Sequence, residues 1–197
     1  MKNKWCVLLL SFVTMIFIFS VGCTNKEYTK EEAYEDFINK SSKISSYTCT
    51  AKVKAIGNKE STTYIFKHTY KKPDYYKLEV KSPQNLKGKT IEYKEDKIII
   101  NNPKIKDKVE LENTNDDMRY LFIGEFISNY KKDKNPKLQL TESQLKIEVE
   151  SPGDNKYFNK QILYVNNKNK APEKMEIIDY EEKPRFIVTY ENFQYKK

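Results

Sequence analysis

One pattern governs what this chain can fold into: from Tyr47 onward, apolar and polar residues alternate singly, run after run. Tyr47, Cys49, Ala51, Val53 and Ala55 alternate with Thr48, Thr50, Lys52 and Lys54. Successive side chains of a strand point to opposite faces, so a period of two marks a sheet with one covered and one wet face. The pattern recurs in Tyr64, Phe66, His68 and Tyr70, in Tyr76, Leu78 and Val80, and in Ile91 and Tyr93. Shorter strands are predicted at 96–101 and 108–112. After Pro136 the alternation resumes at Leu145, Ile147 and Val149, then over 161–165, over 175–180, and at Phe186, Val188 and Tyr190. Turn chemistry separates the runs, as at Gly57-Asn58, Lys72-Pro73-Asp74 and Pro152-Gly153. Consecutive alternating strands predict an antiparallel meander.

A helical period appears in two places only. Thr29 followed by Glu32 has the spacing of a capping box, and Tyr34, Phe37, Ile38, Ser41 and Ile44 then share one face. The segment 116–130 carries Met118, Leu121, Phe122 and Phe126 along one side, with Asp116-Asp117 placed for the positive end of the helix dipole. The predicted order is helix, about six strands, helix, about four strands, without βαβ alternation. The fold class is therefore α+β, an antiparallel sheet with helices on one face. With 197 residues, no internal repeat and no Gly/Ser linker, residues 29–197 are expected to form a single domain.

The amino terminus reads differently. Lys2 and Lys4 precede an uncharged run from Trp5 to Val21, the layout of an export signal. The run is short for a span of ~20 residues. Ser20-Val21-Gly22-Cys23 resembles a bacterial lipobox, with Ser20 standing where Leu is usual. Cleavage there predicts a signal peptide at 1–22, a lipidated Cys23 and a short tether over 23–28. Two acyl chains, at ~0.8 kcal/mol per buried methylene, hold a protein on a membrane stably. The competing reading is an uncleaved membrane helix with Cys23 inert. If Cys6 leaves with the signal and Cys23 is acylated, Cys49 is the remaining thiol and no intrachain disulfide can form.

Reactive constellations are missing from the sequence. His68 is the only histidine, so a nucleophilic triad or a zinc site lacks its usual ligands and bases. Placed among Tyr64, Phe66 and Tyr70, it reads as a core histidine, and Cys49 beside Ala51 and Val53 reads as a small buried hydrophobe. A phosphate loop ending in Gly88-Lys89-Thr90 would need glycine where Pro83 stands. The five glycines are scattered, so no dinucleotide fingerprint exists. A carboxylate pair for sugar chemistry stays open, although nothing in the sequence singles one out. These readings predict no enzyme and no cofactor or metal. Lysine supplies nearly all of the 36 basic residues against 28 acidic ones, and only Arg119 and Arg185 are arginines. Arginine is the residue that forks onto phosphates and bases, so nucleic acid is not an expected partner.

The middle strands concentrate the charge: residues 67–108 hold twelve Lys and six acidic residues. Such a face either meets an anionic partner or simply keeps the protein soluble. The candidate binding residues are the apolar strand positions Tyr76, Leu78, Val80, Ile91 and Tyr93 and the basic Lys87 and Lys89. The competing reading is that the aromatics fill the core.

The series lipobox, helix, strand meander, Lys72-Pro73-Asp74-Tyr75-Tyr76-Lys77-Leu78-Glu79-Val80 and Gly88-Lys89-Thr90-Ile91-Glu92-Tyr93 resembles the LolA/LolB-type lipoprotein carriers. In those, a Lys-Pro segment leads into an apolar strand and a Gly-Lys-Thr turn opens the next. Asn101-Asn102-Pro103 falls where an Asp-Pro turn is common. The resemblance implies a curved antiparallel half-barrel with helices packed on its concave face. Carriers commonly place Trp in their strands, while the chain after the signal has none, and the soluble carrier is not itself lipidated. A small, lipidated, Lys/Asn/Ile-rich version is similar to the germination lipoprotein family GerS of spore-forming bacteria. That resemblance implies a non-catalytic protein that binds and activates the zinc-dependent cortex N-acetylmuramoyl-L-alanine amidase CwlD. It would be anchored on the extracytoplasmic face of a forespore membrane, with a homodimer by strand pairing possible at exposed edges. The alternative function is a carrier holding acyl chains or lipoprotein in the half-barrel.

Overall fold

The structure, a computed structural model, describes residues 28–94, 97–112, 117–130, 136–151 and 157–196. Cys23, the signal segment and most of the tether lie outside the described residues. Eleven strands form one sheet: β1 (Ser46–Ile56), β2 (Ser61–Lys71), β3 (Tyr75–Ser82), β4 (Thr90–Lys94), β5 (Lys97–Asn102), β6 (Asp107–Glu112), β7 (Lys137–Leu140), β8 (Gln144–Glu150), β9 (Lys160–Asn166), β10 (Pro172–Ile178) and β11 (Pro184–Lys196). Their order is β6-β5-β4-β3-β2-β1-β11-β10-β9-β8-β7, antiparallel at every pair. Two meanders are thus joined where β1 pairs β11, and the chain crosses from one sheet edge to the other between β6 and β7. β6 and β7 end the sheet and do not pair with each other, so it stays open.

The register explains the alternation. Cys49 opposes His68, His68 opposes Leu78, Leu78 opposes Ile91, Ile91 opposes Ile100 and Ile100 opposes Val109. Across the other meander Val53 opposes Val188, Val188 opposes Met175, Met175 opposes Leu163 and Leu163 opposes Ile147. Directly opposed residues share a face, so these rows define one continuous apolar inner face. The other face carries charge ladders, including Lys77 to Glu92 at 2.7 Å and Lys137 to Glu148 at 3.1 Å, each pair opposed in register.

Two helical pieces lie on the sheet. Helix α1 (Lys30–Ser42) begins where the sequence predicts, with Thr29 and Glu32 each accepting the other's backbone N–H. It buries Ala33, Phe37 and Ser41 and packs against β7 and β8. The predicted helix over 116–130 is a 3-10 turn (Asp117–Leu121) followed by α2 (Ile123–Tyr130). Leu121, Phe122, Ile123 and Phe126 are buried, while Asp116 and the Met118 side chain lie outside the described residues. Phe122 is the centre of this plug. Its ring lies 4.7 Å from His68, 4.9 Å from Tyr76 and 6.2 Å from Tyr93. Two buried tyrosines pin the plug to the sheet: Tyr47 Oη accepts the Ile123 N–H, and Tyr190 Oη donates to the Leu121 carbonyl. A buried backbone group without a partner is costly, so these hydroxyls stabilise the helix entry as well as the packing.

Strand β7 is absent from the sequence-based expectation. Lys137-Leu138-Gln139-Leu140 is too short to show a period, and its pairing with β8 supplies the order that its sequence does not. Strand β10 begins at Pro172, ahead of the expected 175–180 segment, and stops at Ile178.

Candidate binding surfaces

The inner face leaves two cavities at opposite ends of the strands. The first, of about 310 Å³, opens where β1 begins and β2 turns into β3. Its floor is aromatic, with Tyr47, Tyr70, Tyr76 and Phe193 stacked or tilted at centroid distances of 5.0 to 5.2 Å. Gly124 of α2 meets this floor: a Cβ there would lie 3.0 Å from Tyr70 Cε2, so any side chain at this position would have to push the Tyr70 ring back by a few tenths of an ångström. Lys40, Lys72 and Lys170 stand at the rim, each donating to a carbonyl or amide oxygen: Asn169 O at 2.5 Å, Ser42 O at 2.6 Å and Asn167 Oδ1 at 2.8 Å. Burial and the neighbouring Lys40 pull the Lys170 ammonium below the usual lysine range against the opposing pull of Asp36. Burial, with Glu125 adding to it, pushes the Tyr76 hydroxyl well above the usual tyrosine range.

The second cavity, of about 440 Å³, lies at the far strand end and is nearly all apolar. Val53, Phe66, Val80, Ile91, Ile100 and Phe186 line it, with Lys89 at its edge. The loop between β3 and β4 closes one side through Leu86. Gly88 in that loop has φ +90°, the left-handed region that a side chain rarely adopts.

The sequence-derived binding residues therefore divide. Tyr76, Leu78, Val80 and Tyr93 are buried, at 3%, 0%, 5% and 2% exposure. Tyr76 lines the first cavity and Val80 the second, while Leu78 and Tyr93 line neither. Ile91 and Lys89 meet at the second cavity, and Lys87 is exposed beside it in the same loop. Sequence reasoning missed Tyr47, Tyr70, Phe193 and the rim lysines as a group. They lie on separate segments of the chain, and only the β1–β11 pairing brings the two chain ends together.

The buried reactive side chains are passive. His68 is fully buried, neither ring nitrogen has a hydrogen-bond partner, and burial pushes it down to about 3. Cys49, directly across from it on β1, is pushed up to about 12 by burial. A neutral imidazole facing a protonated thiol is not a nucleophilic pair. Among the described residues no three His, Cys, Asp or Glu side chains converge to hold a metal, and no helix is long and apolar enough to cross a membrane.

The described chain is thus an open antiparallel sheet with a helical plug and cavities at both strand ends of its inner face. The chain belongs to the family of YdcC-like sporulation proteins, which matches it over residues 2–197. Among solved structures it is similar to the GerS lipoprotein in the complex of the CwlD amidase from Clostridioides difficile with GerS. The identity is 52%, over 88% of this chain and 99% of that one, with a TM-score of 0.56. An uncharacterized conserved protein from Thermus thermophilus shares the fold at 13% identity, over 86% of this chain and 89% of that one, with a TM-score of 0.51. A LolA superfamily protein from Nitrosomonas europaea matches at 13% identity, over 83% and 93% of the two chains, with a TM-score of 0.45. The relative at 52% identity is a lipoprotein. No curated protein matches the chain.

Proposed function

We propose that this chain is a membrane-tethered, non-catalytic lipoprotein that binds and activates a zinc-dependent spore cortex N-acetylmuramoyl-L-alanine amidase of the CwlD kind, as germination requires. The 52% identity to GerS, solved in complex with CwlD, carries this reading. The buried, unreactive state of His68 and Cys49 accords with a protein that contributes a surface and no chemistry. Activation follows if the chain binds one state of the amidase more tightly than another. The diacylglyceryl group on Cys23 holds the protein on the extracytoplasmic face of a forespore membrane, and the helical plug occupies the concave side of a half-barrel. The free edges of β6 and β7 offer strand pairing to a second copy, which light scattering of the purified protein measures directly. Size-exclusion chromatography of the chain with the amidase tests the main reading: co-elution supports it, and separate elution under all conditions overturns it.

The first cavity supports a second reading, a carrier of acyl chains. A volume of about 310 Å³ floored by aromatic rings suits an apolar ligand with lysines at its head. Mass spectrometry of gently purified protein separates the two, because a carrier retains lipid and an adaptor is empty.

A further inference from the structure

Beside the second cavity, where β1 ends and β11 begins, Ala55 opposes Phe186 and the sheet gives way to a groove. Two cavities, of about 430 and 550 Å³, flank Arg185, which lines both together with Ile56, Gly57 and Asn58. One has an aromatic wall: Phe158 and Phe186 stack at 5.8 Å with 14° between their planes, and Tyr157 adds a ring that is 45% exposed. The other has a polar wall that includes Glu181 and Lys183.

Arg185 is held in place before any ligand arrives. Its Nε donates to Asp179 Oδ2 at 2.6 Å, its Nη1 donates to Asn58 Oδ1 at 2.7 Å, and the guanidinium carbon lies 5.6 Å from the Tyr157 ring centre. Asp179 accepts in turn from the Glu181 and Lys183 N–H groups, each at 2.9 Å, and its side chain is 3% exposed. The turns on either side are closed by backbone bonds, from Gly57 N–H to the Glu60 carbonyl and from Asp179 N–H to the Lys183 carbonyl, both at 2.9 Å. A guanidinium carries five N–H donors. Asp179 and Asn58 take two of them, and the others have no partner among the described residues. Donors fixed in advance cost little ordering when a ligand binds.

The charges decide what those donors are for. Arg185 is paired with Asp179 and Lys183 with Glu181, each at 2.6 Å, so the groove is neutral and offers an anion no uncompensated cation. Free donors without net charge suit a neutral ligand rich in oxygen acceptors. The aromatic wall beside them suits a ligand that also has an apolar face. A sugar ring combines the two: its C–H face stacks on aromatic rings, and its hydroxyls accept from planar guanidinium and amide groups. An acetamido substituent adds a carbonyl acceptor and a methyl group. Each cavity is also within the range of roughly 300–1,000 Å³ common to small-ligand sites.

We infer that the groove between the β1–β2 and β10–β11 turns binds a glycan of N-acetylated hexosamines. Arg185 and Asn58 donate to its acetamido carbonyl and hydroxyls, and Tyr157, Phe158 and Phe186 pack against its methyl and C–H face. This site rests on the functional reading above only for the source of the glycan, the peptidoglycan on which the amidase acts. The experiment titrates the isotope-labelled full-length chain, in a detergent without a sugar head group, and follows it by NMR. The probes are chitotetraose, cellotetraose, which lacks acetamido groups, and 3-phenylpropionate, an apolar carboxylate. Chitotetraose shifts the Gly57 and Asn58 amide and Arg185 Nε–H resonances and saturates with a Kd of about 1 mM or tighter, while the other two leave them in place. Tyr157→Ala, on an exposed side chain, weakens chitotetraose about tenfold. Arg185→Lys keeps the charge, loses the planar donors and weakens it at least as much, with a thermal melt reporting the folding of each variant. No shift with chitotetraose, an equal response to cellotetraose, a response to the carboxylate alone, or unchanged affinity in folded Tyr157→Ala overturns the site. A wild type that co-elutes with the amidase and ignores chitotetraose overturns the groove alone. One that binds chitotetraose and never co-elutes with the amidase overturns the functional reading alone.

Discussion

His68 shows how much a single side chain can say. It lies opposite Cys49 and Leu78 and beneath Phe122, fully enclosed and without a hydrogen bond at either nitrogen. Burial disfavours the imidazolium and pushes the group from 6.5 down to about 3. The unfolded chain therefore takes up a proton that the native one refuses. The stability this side chain contributes is complete above pH 6.5 and is lost as pH falls toward about 3. The slope is about 1.4 kcal/mol per pH unit across that interval. Urea unfolding of His68→Leu across this range should lose that share of the slope, and an unchanged slope would show that the imidazole titrates freely in the native protein. Asp179 is also held below its usual range, by hydrogen bonds and a charge partner. Its burial alone would raise it, but the Lys183 and Glu181 N–H groups and Arg185 Nε at 2.6 Å hold its carboxyl below the usual range. Arg185 also donates to Asn58 at 2.7 Å, so one of only two arginines ties the β1–β2 turn to the β10–β11 turn. Both bonds are spent on structure.

Among the elements, the plug depends most on a few contacts. Phe122→Ala should cost about 3–5 kcal/mol, since it empties a site ringed by His68, Tyr76 and Tyr93. The expected signature is a lower urea midpoint with retained β-sheet circular dichroism; an unchanged midpoint would mean that the plug does not hold the inner face closed. The strands were legible from sequence because burial on one face imposes a period of two, and α1 because Thr29 and Glu32 announce its start. Strand β7 was not legible, because four residues carry no period and its place is fixed by β8. The start of the second helix was only half legible. Leu121, Phe122 and Phe126 mark a buried stripe, but Tyr47 and Tyr190 from distant strands decide where 3-10 gives way to α. The same holds for the candidate surfaces. Tyr76, Leu78, Val80 and Tyr93 look alike as alternating apolar residues, and whether one lines a cavity or the core depends on what the crossover lays over it.

At the scale of the molecule, the sheet keeps its chain entry and aromatic cavity at one strand end and the second, apolar cavity at the other. The tether has its own test. Growth with a labelled fatty acid should label the wild-type protein and not Cys23→Ala, and equal label in both would remove the lipid anchor. The link to the amidase is tested most directly by titrating the full-length chain into purified amidase acting on muropeptide substrate. Turnover should rise and saturate at about one chain per enzyme, while the chain alone releases no product. Turnover that stays flat throughout the titration, or product formed by the chain without the amidase, would contradict it.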